Sequence, residues 1–83
     1  MDEKIPYICL DINRVWEGTI DYVELAKRVR DKMLYRINIM ENGAEKRVYA
    51  VGYGVDFSDM ERKLFYFEKD GLPGIWKLKS RKV

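Results

Sequence analysis

The stretch Asp31-Lys-Met-Leu-Tyr-Arg-Ile-Asn-Ile-Met-Glu-Asn-Gly43 decides how the rest of the chain is read. Met33, Leu34, Ile37 and Met40 recur at helical spacing, and Gly43 after Asn42 suits the left-handed residue that closes a helix. Tyr35, Ile37 and Ile39 also alternate as in a strand, and Asn42-Gly43 is a strong two-residue hairpin turn. A helix leaves Ile39 partly exposed, whereas a strand puts Leu34 and Met40 on the polar face. The helical spacing predicts a helix over 31–43. Under the strand reading, residues 34–52 form a hairpin and the domain is an α+β sheet protein with a four-strand array. That form suits an edge-strand homodimer or a partner-binding surface better than groove reading.

Working outward, the segment just upstream is clearer. Asp21 followed by Glu24 has the residue types of a capping box, and Tyr22, Leu25, Ala26 and Val29 form a helical stripe. A helix is expected from about Asp21 to Arg30. Further upstream, Ile5, Ile8, Cys9, Ile12 and Trp16 match an amphipathic helix with Pro6 in its first turn, ended by Gly18, although Ile5, Tyr7 and Cys9 also alternate. Downstream, Arg47–Val51 is β-rich, and Gly52 and Gly54 bracket a kink. Residues 57–61 read as a loop or one helical turn capped by Ser58. Leu64–Phe67 and Ile75–Leu78 read as two strands joined by a wide loop, with Gly71 and Gly74 free to take positive φ and Pro73 blocking further pairing. There is no internal repeat, and residues 1–83 read as one domain.

The 83 residues lie near the lower size limit for unassisted folding, and the 11 aromatics among them are expected to carry the core. Histidine is absent, which removes the usual general base, the Ser-His-Asp triad and the usual zinc sites. A single cysteine, Cys9, excludes an intramolecular disulfide and reads as a small buried hydrophobe. No stretch has the length of a membrane span or the pattern of a signal peptide, so a cytoplasmic, non-enzymatic protein without cofactor or metal is expected. The scarcity of amides and abundance of Lys, Arg, Glu and Asp resemble a thermophile's composition.

The net charge of +2 hides a segregation: −4 over residues 1–25, +4 over 26–47, −2 over 48–75 and +4 from Trp76 onward. Two basic blocks separated by an acidic one fit a protein with one polyanion-facing side, against the plainer reading of a solvated surface. Glu61-Arg62-Lys63 with Asp56 or Asp59 has the residue types of a metal-dependent nuclease, but such triplets arise by chance in a chain this charged. The same acids lack the loop length and glycine of a calcium hand, and Gly52-Tyr-Gly54 is too short for a phosphate loop. Tyr7, Tyr49, Tyr53 and Tyr66 include candidates for a base-stacking platform, although aromatics interleaved with valine are more often half-buried sheet residues.

Helix, capped helix, third helix and C-terminal β-hairpin is the order of a winged helix-turn-helix. The run Gly18-Thr-Ile-Asp-Tyr-Val-Glu-Leu-Ala-Lys-Arg-Val29 resembles the second-helix segment of such domains. Leu64-Phe-Tyr-Phe-Glu-Lys-Asp-Gly-Leu-Pro-Gly-Ile-Trp-Lys-Leu78 resembles the wing of the HARE-type and restriction- and modification-associated winged-helix domains. The stretch 44–62 is longer than a minimal winged helix needs. The resemblance implies double-stranded DNA as the partner, with the third helix in the major groove exposing Lys32, Tyr35, Arg36 and Asn38. Arg36 and Asn38 would read bases, and Arg28 and Arg30 would hold phosphates. Lys69, Lys77, Lys79, Arg81 and Lys82 on the wing and tail would add phosphate contacts. A chain without an effector domain would act by binding alone, as a small regulator, an anti-restriction factor or a subunit, with homodimerisation open.

Overall fold

The computed structural model describes residues 5–7, 18–71 and 74–83. Its elements are β1 (Thr19–Asp21), α1 (Tyr22–Arg30), β2 (Tyr35–Glu41), β3 (Ala44–Asp56), β4 (Glu61–Lys69) and β5 (Ile75–Lys82). The strands form one antiparallel sheet in the order β1-β5-β4-β3-β2, so β2 to β5 are a simple meander and β1 adds outside β5.

The winged helix-turn-helix expectation is therefore overturned. Residues 35–41 are a strand, and no third helix exists over 31–43. Two local events account for the misreading. First, α1 closes with Lys32 at φ 59°, where the Lys32 and Met33 amides bond back to the Val29 and Arg28 carbonyls. This is the double-bonded helix stop that glycine usually provides; here a lysine provides it, so the sequence carries no stop signal at that point. Second, Asn42 (φ 53°) and Gly43 (φ 78°) both take positive φ, the geometry of the tight I′ hairpin turn, and join β2 to β3. The helical stripe thus mixed Met33 and Leu34, which belong to the turn after α1, with residues of the strand.

The capped helix is found where expected: Asp21 Oδ1 accepts the Glu24 amide at 2.8 Å, and the helix runs to Arg30. The helix expected over 5–16 lies outside the described residues from Ile8 onward. Ile5–Tyr7 are not helical: Tyr7 bridges Tyr53 in parallel, and the Tyr53 amide donates to the Pro6 carbonyl. The kink near Gly52 is a register shift between Ala50 and Gly52, which lets β3 bend. Residues 57–60 form the β3–β4 turn; β4 extends both ways beyond the expected Leu64–Phe67, and β5 begins at Ile75 as expected and runs on to Lys82.

Because side chains alternate along strands, the sheet has two apolar faces. On one, α1 places Leu25 and Val29 against Ile20, Leu34, Val51, Phe65, Phe67, Trp76 and Leu78. On the other, Ile39, Val48, Ala50, Leu64 and Tyr66 cluster with Ile5, Tyr35, Ile37 and Tyr53. Burial on both faces explains why β4 reads as an unbroken apolar run, Leu64-Phe-Tyr-Phe67. The sheet coils strongly, since Arg81 of β5 donates to the Met40 carbonyl of β2 at 3.1 Å although β4 and β3 separate those strands in the sheet. Among the described residues no helix is long and apolar enough to cross a membrane.

Candidate nucleic-acid interface

Helix α1 packs on β1 and β5, and among the described residues nothing covers the turn-proximal part of the β2–β3 ribbon on the same face. Strand alternation turns Arg36, Asn38 and Met40 of β2 and Glu45 and Arg47 of β3 onto this bare strip, and all five are exposed. Register puts Asn38 directly opposite Arg47 and Arg36 opposite Tyr49, so both guanidinium groups and the amide share one ribbon surface. Lys32 is exposed at the foot of the ribbon, where Val29, Lys32, Leu34, Tyr35 and Arg36 line a hollow of about 250 Å³. Among the described residues, no carboxylate lies within ion-pairing distance of Lys32, Arg36 or Arg47. Glu45 is the one acid facing the same way along β2 and β3 before the bulge. The strip can therefore offer donors and positive charge to an anionic partner without breaking internal pairs.

The structure distributes the other expected site residues differently. Arg28 is half-buried on the β1 side of α1, its Nε donating to Glu24 Oε1 at 2.9 Å. Arg30 lies 3.5 Å from Asp31 at the end of α1. Tyr35 faces the second core cluster, away from Arg36 and Asn38. Lys69 is exposed at the end of β4. Lys77, Lys79 and Arg81 alternate onto the sheet face opposite α1, whereas Lys82 turns the other way and pairs with Glu61 at 3.0 Å. The C-terminal basic block thus does not join the Arg36 strip. Arg47 does, and sequence reading passed over it. Only the strand register makes it a neighbour of Asn38, and counting back from an Asn42-Gly43 hairpin turn would have found it.

Elsewhere two groups of charges pair internally. Lys46 pairs with Glu41 at 2.9 Å and with Glu68, and Lys79 pairs with Glu68 at 2.7 Å, forming an alternating ladder across β2, β3, β4 and β5. Glu68 is buried, and its two lysines offset the cost of removing a carboxylate from water. At the β3–β4 turn, Lys63 reaches Asp56 at 3.0 Å and Asp59 at 2.7 Å. Asp56 is held at about 2 by the Ser58 hydroxyl and amide and by Lys63, and Asp59 is lowered by Lys63 and the Glu61 amide. Asp56, Asp59 and Lys63 therefore brace a turn. Of the tyrosines, Tyr7 and Tyr53 meet at 5.5 Å with Arg62 5.7 Å from the Tyr7 ring centre. Tyr66 is buried, and Tyr49 packs edge-on against Trp76 on the α1 face.

No family model, curated protein or solved structure matches the chain.

Proposed function

We propose that this protein binds duplex DNA through the bare face of the β2–β3 ribbon, with Arg36, Asn38 and Arg47 toward the groove and Lys32 on the flanking phosphates. The observation that carries this reading is the alignment of Arg36, Asn38 and Arg47 on one exposed strip whose arginines have no carboxylate partner among the described residues. A two-stranded ribbon is of a width that the major groove admits, arginine can bond guanine with two hydrogen bonds, and asparagine can do the same to adenine. Binding by a strand pair takes the place of the third-helix mode, which the fold does not allow. The role is that of a binding protein, such as a regulator, rather than a catalyst.

The test is fluorescence anisotropy with random-sequence duplex at two salt concentrations. On random-sequence duplex, where Arg36 and Arg47 settle on phosphates as Lys32 does, three contacts give a slope of log affinity against log salt of about −2.7, and the Arg36→Ala/Arg47→Ala double variant should lower its magnitude by about 1.8. Lys77→Ala, on the opposite face, should leave affinity nearly unchanged. Absence of binding at low salt, or binding that the double variant does not weaken, would refute the reading.

A further inference from the structure

We infer that the outer edge of β2 is the docking site for a second copy of this chain, paired antiparallel about a two-fold axis at Asn38. The inference does not depend on the nucleic-acid reading. Strand β2 ends the sheet, and among the described residues no strand pairs with its outer edge. The phase of its hydrogen bonds follows from the hairpin. A two-residue turn makes Glu41 and Ala44 a mutually bonded pair, so Tyr35, Ile37, Ile39 and Glu41 direct their backbone groups to β3. Arg36, Asn38 and Met40 therefore direct theirs outward. The Arg81 bond to the Met40 carbonyl agrees with that phase.

Proteins usually protect such an edge by making it short, bulged, proline-bearing or covered. The other edge strand, β1, has only three residues; β2 has seven, with no proline and no bulge. Its sequence is self-complementary in the register that overlaps all seven residues. Arg36 then faces Met40 of the second copy, Ile37 faces its Ile39, Asn38 faces its own equivalent, and Tyr35 faces Glu41, with phenol beside carboxylate. No like charges oppose one another, whereas sliding the axis to Arg36 would set two arginines face to face. Half-buried Ile37 and Tyr35 would be covered by the same apolar face of the second copy. The Met40 carbonyl would exchange the Arg81 guanidinium for the Arg36 amide of the second copy, so Arg81 acts as a partial guard of the edge.

Sedimentation equilibrium of the full chain, with amide hydrogen exchange at several protein concentrations, tests the proposal. The expected mass is twice 9.9 kDa at high concentration, with the Arg36, Asn38 and Met40 amides gaining protection as dimer forms. Arg81→Ala should lower the dimer dissociation constant roughly five- to 150-fold, because each of the two copies gives up one competing hydrogen bond. Asn38→Pro removes an amide that the monomer leaves outward, so the folded circular dichroism spectrum should survive while the dimer is lost. A monomer at millimolar concentration, a dimer in which the three amides exchange freely, or a folded Asn38→Pro variant that still dimerises would overturn the proposal. The exchange arm decides the matter even if that variant does not fold.

Discussion

Replacing Gly43 by alanine isolates the backbone cost of the turn that makes residues 31–43 a hairpin arm. Gly43 has φ 78°, and a Cβ added there meets nothing within 4 Å, so no steric clash contributes. An L-residue in the left-handed region costs about 1–2 kcal/mol relative to glycine. The unfolding entropy of an 83-residue chain is about 0.17 kcal/mol/K, so the midpoint should fall by roughly 6–11 °C. Gly18→Ala is the matched comparison. Its added methyl also meets open space, but no left-handed φ is involved. There the restriction of the unfolded chain dominates, and a neutral effect or a gain of up to about 1 kcal/mol is expected. Thermal unfolding followed by far-ultraviolet circular dichroism measures both at one protein concentration. Equal shifts in the two variants would refute the reasoning, because the cost would then come from adding a methyl rather than from the handedness of the turn.

The remaining predictions concern the acid limb and the core. Asp56 is lowered from 3.8 to about 2 on folding, so its contribution is present above its unfolded value and disappears as pH falls toward about 2. Asp56→Asn should flatten the loss of stability across that window in urea titrations at stepped pH; an unchanged profile would remove Asp56 as its source. Lys63 is raised above 10.5 by Asp59 and Asp56, so its share of the same cluster holds below that value and is lost at higher alkaline pH. Phe67 is fully buried, and Phe67→Ala should cost about 3–5 kcal/mol by urea denaturation. Trp76→Phe should cost no more than about 1 kcal/mol, because the lost area is offset by removing a buried indole Nε1 that has no acceptor among the described residues. A Trp76→Phe loss as large as that of Phe67→Ala would mean that the indole nitrogen has a partner.

Local chemistry was legible where a few neighbouring residues decide the outcome. Asp21 and Glu24 begin a helix through one side-chain bond to one amide, so that helix was readable from the sequence. The glycine kink in β3 and the β4–β5 hairpin were readable for the same reason. Residues 31–43 were not, because their apolar spacing satisfies both periods and the deciding events are tertiary. Lys32 can occupy a left-handed helix stop once its own amide finds the Val29 carbonyl, the Met33 and Leu34 amides find the Arg28 carbonyl, and Leu34 is buried beside Val51 and Phe67. The candidate site followed the same division. Arg36 and Asn38 were identified by residue type, and their exposure survives the exchange of helix for strand because both lie at even positions of β2. Their neighbours, in contrast, depend on strand register. Pairing brings in Arg47 from beyond the turn and sends Lys77, Lys79 and Arg81 to the other face, since adjacency in a sheet is set by contacts between residues far apart in the chain. The sequence by itself determined which side chains carry charge and where single turns begin; the tertiary structure decided which of those charges share a surface.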